Sequence, residues 1–425
     1  MKKKFKLSYY NHFFTDGKDE YISNFFSGGI SKLSPGSRKR LEEFDGSDVE
    51  QDELYKQAYK GGFIISSDVD ELASINYLRT NTVCTNTNVS YEILTTTACN
   101  ARCSYCFEEG ICPKTMNLET AEAVAKFIIS RSTETKQINI QWFGGEPLLN
   151  TAAISHITKR LDEAFADKEI KVSYRIVTNG SLVDDKMLEK FKNEWHISRA
   201  QISLDGLKKE YEKRKAYVSL HDAFEKVINN INKLSSIGVN VHIRLNYDLE
   251  NIEDILRLID YLGTVIEDKK HVSCYAFPVF DVGASKGPEE RETALKLIDI
   301  NNKLIETGLL HNNEPFQLLL SATKCYACLR NSFLISPEGK LGKCSMAMED
   351  EDFFGDVFSE SFKLTNNYLK WCSTDLPSEE CKTCKFLPLC QGGCKAGHLG
   401  YSPVKHYLYK NCIDEILLEI VKANT

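Results

Sequence analysis

The chain has 425 residues, 42% hydrophobic and 27% charged, with a formal net charge of -7. That balance describes a folded soluble protein of two or three domains, and the acidic excess speaks against a nucleic-acid binder. No apolar run reaches membrane-span length, and the basic start MKKKFKLSYY leads into neither an apolar core nor a small-residue cleavage site. The expected location is the cytoplasm, with no membrane partner.

A first unit is expected over 1–88. KFKLSYY, YISNFF and FIIS gather aromatic and β-branched residues as strands do. Ser34-Pro35-Gly36 is a turn that opens a helix over SRKRLEEF. VEQDELYKQAYKGG is a second helix, closed by Gly61-Gly62, and DVDELASINYLRT a third, with Asp68 as its N-cap. A small hairpin with helices in this order resembles a winged helix.

A second unit is expected over 89–310. Six strands, YEILTTT, INIQWF, KVSYRIVT, AQISL, NVHIRLNY and HVSCYAFPVF, alternate with helices near 117–131, 151–166, 184–194, 219–237, 251–267 and 289–307. Such alternation implies an α/β fold with a parallel sheet. Six units are two short of a full barrel, so a partial (β/α)6 TIM-like barrel is expected, with its chemistry at the carboxyl ends of the strands. Over 311–425 the periodicity fades into cysteines and polar loops until a last helix, CIDEILLEIVKA. A segment so poor in apolar pattern needs another source of stability, and metal ligation supplies one.

Fifteen cysteines in a cytosolic chain point to metal or catalysis before disulfides. Cys99, Cys103, Cys106 and Cys112 form one group, and nine more lie between Cys325 and Cys412. In CNARCSYC, three thiolates on a tight loop can bind three irons of a cubane and leave the fourth iron open for chemistry. A zinc site or buried thiols are the other readings of these residues. After the second strand comes Gly144-Gly145-Glu146-Pro147. Its glycines permit close backbone approach, and a carboxylate with exposed carbonyls can receive an ammonium.

The spacing Cys99-x3-Cys103-x2-Cys106 after the first strand, with Tyr105 before the last cysteine, resembles the radical S-adenosylmethionine superfamily. The resemblance implies a 4Fe-4S cluster on these three cysteines. It implies that Gly144, Gly145, Glu146 and Pro147 bind the amino group of S-adenosyl-L-methionine. Asn179 and Ser203, at the third and fourth strand ends, are the polar contacts expected for its ribose and carboxylate. Arg214 is expected to pair with the carboxylate, with Arg244 as competitor. The reaction implied is reductive cleavage to methionine and a 5′-deoxyadenosyl radical, which abstracts a hydrogen atom from the substrate.

Cys381-x2-Cys384-x5-Cys390-x3-Cys394, followed by Cys412 and preceded by Cys328 and Cys344, resembles the SPASM domain. Zinc knuckles are the competing reading of its CxxC pair. The resemblance implies two auxiliary 4Fe-4S clusters, three clusters in all. Cys381, Cys384, Cys390 and Cys412 would hold the outer one, and Cys328, Cys344 and Cys394 the inner one. Cys325 either closes the inner cluster, the reading adopted, or leaves one iron open for a substrate thiolate.

Enzymes of this kind mostly modify ribosomally made peptides. The expected partners are a precursor peptide, its leader held by strand addition to the 1–88 unit, and a one-electron reductant such as flavodoxin or ferredoxin. The expected product is a thioether or carbon-carbon cross-link, with epimerisation left open. An anaerobic sulfatase maturase is the alternative, although Ser345 stands where those enzymes usually place an aspartate. An electron-transfer or scaffold protein without radical chemistry is the alternative of another class. No catalytic proton donor or acceptor is assigned.

Overall fold

The computed structural model describes residues 4–423 apart from 86, 133, 280–286, 311–313, 323, 360–363, 377 and 397–403. It opens with β1 (Phe5–Leu7), β2 (Asn11–Thr15), β3 (Glu20–Asn24), β4 (Ile30–Leu33), α1 (Ser37–Glu42), α2 (Glu53–Lys60), β5 (Ile64–Ser66) and α3 (Glu71–Cys84). β2, β3 and β4 form an antiparallel meander, and β1 pairs separately with β5. β2 and β4 are additions to the expected strands. α3 is capped by Asp70, whose carboxylate accepts from the Ala73 amide at 2.9 Å, and not by Asp68.

The β/α alternation that follows is found as expected. β6 (Asn88–Thr96), β7 (Gln137–Gly144), β8 (Lys171–Thr178), β9 (Ile197–Leu204), β10 (Asn240–Tyr247) and β11 (Val272–Pro278) lie parallel in chain order. Between and after them run α4 (Leu118–Arg131), α5 (Thr151–Phe165), α6 (Asp185–Asn193), α7 (Lys208–Lys215), α8 (Ala223–Ser236), α9 (Ile252–Val265) and α10 (Gly287–Glu306). The period of two splits each strand between two faces. Tyr91, Ile93, Ile140, Trp142, Ile202 and Ile243 pack on the helices in one core with Val124, Ile157, Val227 and Ile259. The other face carries Glu92, Gln141, Arg175, Gln201 and Arg244, which leaves a polar lining for a site.

The last segment holds α11 (Glu314–Leu319), β12 (Ser332–Ile335), β13 (Lys340–Gly342), β14 (Gly355–Asp356), α12 (Asn366–Cys372), α13 (Leu387–Cys390) and α14 (Val404–Ala423). β12 adds in parallel to the outer edge of β6, from Ser332 opposite Ser90 to Ile335 opposite Ile93. β13 and β14 follow antiparallel, so one nine-stranded sheet joins the two regions.

The N-terminal meander docks on this last segment. Tyr10, Phe14, Tyr21, Phe25 and Ile75 share a core with Leu387, Leu389, Tyr409, Ile413 and Leu417. Tyr9 donates to the Thr383 carbonyl at 2.5 Å, and His12 pairs with Asp414 at 2.6 Å. Among the described residues no helix is long and apolar enough to cross a membrane.

Candidate active site

The carboxyl ends of β6, β7, β8 and β9 converge, and backbone contacts too close for side chains hold them together. A Cβ on Gly144, whose φ is +128, would lie 2.0 Å from the Thr96 carbonyl oxygen, and one on Gly145 would lie 2.5 Å from that of Ala98. The gap is bridged by Gly145 N–H to Thr96 O at 3.0 Å and Glu146 N–H to Ala98 O at 2.9 Å. Glu146 is fully buried. Its carboxylate accepts from Thr178 Oγ1 at 2.7 Å and from the amides of Asn179 at 2.8 Å and Leu148 at 3.1 Å. Burial raises its pKa to about 7. Glu146 is therefore a brace between two strand ends. The reading of its carboxylate as a free acceptor for an ammonium is corrected, because its oxygens are already engaged. Pro147 opens the short helical turn beside it.

The cysteine loop runs from β6 and is pinned by its backbone to the end of α7. Arg102 N–H donates to Lys215 O at 2.9 Å, Ser104 N–H to Arg214 O at 3.1 Å, and Val218 N–H to Asn100 O at 2.9 Å. Ala216, just past Lys215, sits at φ 42, a left-handed conformation costly for alanine that these contacts hold in place. Burial pushes the Cys99 thiol up to about 11, with Glu146 and the Cys103 and Cys106 thiols adding to it, and raises Cys103 and Cys106 as well. Cys99 and Cys103 are half-buried and Cys106 is exposed, and three neighbouring thiols whose thiolates would repel one another ionise together most readily on a metal cation, which is the chemistry of a cluster ligand set.

Beside this loop lies a charged group that the sequence reading missed. Lys215 is buried, and its Nζ donates to Ser203 Oγ at 2.6 Å and Tyr105 Oη at 2.8 Å and stands 3.2 Å from Asp205. Tyr105 donates to the Asp205 carboxylate at 2.8 Å, and Asn246 does so at 2.9 Å. Asn179 lies at the end of β8, its Nδ2 donating to Asn100 Oδ1 at 2.8 Å and its Oδ1 accepting from the Ser181 amide at 2.9 Å and hydroxyl at 2.6 Å. Arg214 is engaged elsewhere. Its guanidinium is spent on Glu210 at 2.7 Å and Asp248 at 2.7 and 2.9 Å, which corrects the expectation that it meets a cofactor carboxylate. The competing Arg244 contacts Asn246 Oδ1 at 2.9 Å and lies over the Phe277 ring at 3.9 Å.

Deeper on the polar face stands Glu92, also missed. It is buried and accepts from Tyr326 Oη at 2.9 Å and Gln141 Nε2 at 2.6 Å, with the Ser345 side chain beside it. Burial raises its pKa. The place next to Ser345, which looks empty of a carboxylate in sequence, is therefore supplied from β6. Its YEILTTT pattern reads as an ordinary alternating strand.

The C-terminal cysteines fall into two sets, with no disulfide among the described residues. The thiols of Cys325, Cys328, Cys344 and Cys394 feel one another's charge, as do those of Cys381, Cys384 and Cys390. Cys325 thus joins the inner set. Cys412 is not brought to the outer set. It is buried in the α10–α14 core, and its Sγ faces the Leu408 carbonyl at 3.3 Å. Among the described residues no three cysteine sulfurs come within 4.8 Å of one another. One zinc would draw them to about 3.8 Å, from Zn–S bonds of about 2.3 Å.

Residues 93–262 match the Radical SAM superfamily. Among characterised proteins, the cysteine-type anaerobic sulfatase-maturating enzyme of Clostridium novyi is 26% identical over 333 residues, 70% of this chain and 85% of that protein. The radical SAM cyclopropyl synthase TigE of Paramaledivibacter caminithermalis is 23% identical over 399 residues, 86% of this chain and 80% of that protein. The fold is shared with anSMEcpe bound to AdoMet and the Cp18Cys peptide, with a TM-score of 0.62 and 20% identity over 79% of this chain and 99% of that one. It is also shared with Streptococcus suis SuiB bound to its precursor peptide SuiA, with a TM-score of 0.55 and 14% identity over 94% of this chain and 98% of that one. Where the superfamily match falls, the parallel strands deliver a three-cysteine loop and the Gly144–Pro147 turn to one sheet end, and this chain is accordingly an enzyme that carries a radical SAM domain.

Proposed function

We propose that this chain is a radical SAM maturase that installs a thioether or carbon-carbon cross-link in a ribosomally made precursor peptide. One observation carries the reading: likeness to SuiB reaches over 94% of the chain, against 79% for anSMEcpe. The assignment of 1–88 as a winged-helix-like leader-binding unit, 89–310 as the barrel and 311–425 as a SPASM domain belongs to this proposal. Support for leader binding comes from β4, which has β3 on one side and no strand on the other among the described residues. A leader could add there as a further strand.

In this reading Cys99, Cys103 and Cys106 hold a 4Fe-4S cluster, the two C-terminal cysteine sets hold auxiliary clusters, and a flavodoxin or ferredoxin supplies electrons. With S-adenosylmethionine bound, the first cluster supplies a carbon radical that takes hydrogen from an aliphatic carbon. This chain's own residues orient the cofactor. Backbone carbonyls at Gly144–Gly145 receive its ammonium. Lys215, held by Tyr105, Asp205 and Ser203, meets its carboxylate in place of Arg214. Ser203 and Asn179 supply polar contacts at the strand ends. Glu92 is placed to accept the proton that the modified residue sheds.

Glu92 also keeps the sulfatase-maturase reading in play, because it supplies a carboxylate beside Ser345. Anaerobic reconstitution with dithionite and S-adenosylmethionine separates an enzyme, which forms 5′-deoxyadenosine, from an electron carrier, which does not. Co-expression with a short Cys- or aromatic-rich peptide encoded beside the gene, followed by mass spectrometry, tests the product. Loss of two hydrogens is the expected result. An unchanged mass with solvent deuterium uptake would mean epimerisation, and a peptide left untouched while a sulfatase cysteine is oxidised would overturn the maturase reading.

A further inference from the structure

Three cations converge between the two C-terminal cysteine sets. Arg79, on α3 of the N-terminal unit, is 1% exposed. Its Nε donates to the Gln391 carbonyl at 3.2 Å, and its other nitrogens reach Asn76 Oδ1 at 3.1 Å and the Asp375 carbonyl at 3.5 Å. Lys324 donates to the same Gln391 carbonyl at 3.3 Å. Lys395 donates to the carbonyls of Lys370, at 3.0 Å, and Ser373. Among the described residues none of the three has a carboxylate oxygen within 4.0 Å; the acidic group that weighs on Arg79 and Lys395 at longer range is Asp375.

Arg79 and Lys324 place two cations on one neutral acceptor, the Gln391 carbonyl. An unpaired buried charge is costly, so a compensating anion is expected nearby. The shared Gln391 carbonyl directly follows Cys390, Lys324 directly precedes Cys325, and Lys395 directly follows Cys394, and the charge of Cys381, Cys328 and Cys390 reaches Arg79. Gln391, which carries the shared carbonyl, lies between Cys390 and Cys394 in the chain and is itself left-handed at φ 57.

We propose that Arg79 is a fixed positive charge, supplied by the N-terminal unit, that raises the reduction potential of the iron-sulfur centres held by the two C-terminal cysteine sets. The inference rests on the auxiliary clusters proposed above. A cation beside a cluster favours the form carrying the extra electron. Because Arg79 faces members of both sets, it biases both ends of an electron path between them. It is a positioning charge, and it touches no reacting atom. Lys324 and Lys395 add to the same field, which makes the segment from Cys381 to Cys394 electropositive around its ligands. The N-terminal unit thereby acquires an electronic role in addition to docking.

The test is an EPR-monitored redox titration of the anaerobically reconstituted full chain, alongside iron and sulfide analysis, for wild type, Arg79→Gln, Arg79→Lys and Lys324→Gln. Removing the charge is expected to make reduction of an auxiliary centre about tenfold less favourable, a fall of about 59 mV for one electron. Arg79→Lys is expected to restore most of it, and Lys324→Gln to give a smaller fall. An Arg79→Gln protein with full cluster content and an unmoved potential overturns the inference, as does an equal fall in Arg79→Lys. If Arg79→Gln fails to assemble clusters, Lys324→Gln decides: an unmoved potential there overturns it equally. Wild-type iron amounting to the first cluster alone would defeat the auxiliary-cluster reading itself, an outcome distinct from all of these.

Discussion

Gly145→Ala isolates the close approach that joins the cysteine loop to β7. The new methyl would meet the Ala98 carbonyl oxygen at 2.5 Å and that of Thr97 at 2.6 Å, both backbone atoms that no side-chain rotation can move. Restoring an ordinary contact of 3.4 Å requires a displacement of about 0.9 Å at the residue preceding Cys99. That motion strains the bonds from Gly145 to Thr96 and from Glu146 to Ala98. Over-packing costs about 1–3 kcal/mol, and two weakened backbone bonds about 1 kcal/mol each, so the loss should be about 3–5 kcal/mol. A domain with about 5–15 kcal/mol of stability stays folded under that load. Urea melts of the metal-free chain should therefore show a lower midpoint. Reconstituted protein should carry less iron on the first cluster and form little 5′-deoxyadenosine. Gly355→Ala is the control, because its Cβ would meet nothing nearer than Leu341 Cδ1 at 3.8 Å, and it should stay within about 0.5 kcal/mol of wild type. Wild-type stability and iron content in Gly145→Ala would refute the argument.

Arg214 and Lys215 should separate cleanly. Lys215→Ala strands the buried Asp205 carboxylate and should lose about 3–5 kcal/mol in urea melts, together with S-adenosylmethionine affinity by equilibrium dialysis. Arg214→Ala should lose stability while leaving that affinity unchanged, and an affinity loss as large as that of Lys215→Ala would count against the assignment. Cys99→Ala should abolish 5′-deoxyadenosine formation while C-terminal iron persists. Glu92 has a folded pKa raised by burial above its ordinary 4.5, so its favourable contribution is present below that value and lost as pH rises through the folded pKa. Glu92→Gln removes that dependence, so its melting temperature relative to wild type should climb as pH rises from about 4.5 and then level off. A difference independent of pH would show that the folded pKa of Glu92 equals its unfolded value.

Much of the parallel sheet was legible because each strand runs for seven to nine residues and each helix between them except α7 has an apolar stripe. β12, β13 and β14 were not legible. They span two to four residues and become strands only by pairing with β6 or with one another. α7 escaped notice because LKKEYEKRK carries Tyr211 as its one fully buried apolar residue and reads as a solvated charge run. Inside it, Arg214 and Lys215 are adjacent cations about 100° apart on the helix, and only tertiary contact tells which one faces the cysteine loop. The same geometry separates Cys412 from the outer cysteines. On α14 the residues Tyr409, Ile413 and Leu417 face the N-terminal meander, while Leu408, Cys412 and Ile416 face the opposite core. Local spacing singled out the cysteine motifs, while their division into an inner and an outer set came from the resemblance to the SPASM domain. Glu92 and Arg79 gain their meaning from partners more than 200 residues away.

The pairing of β12 with β6 has a consequence for how the protein is assembled. The outer edge of β6 is covered by Ser332–Ile335, a segment synthesised long after Ser90–Ile93. Until it emerges, the strand that launches the cysteine loop presents unpaired backbone groups to solvent. Closing so long a loop is slow. Iron delivered during that interval would meet a loop whose supporting strand is still an open edge. Cofactor loading is therefore expected to follow completion of the sheet, so that a chain interrupted before β12 yields an aggregation-prone intermediate in place of a smaller working enzyme.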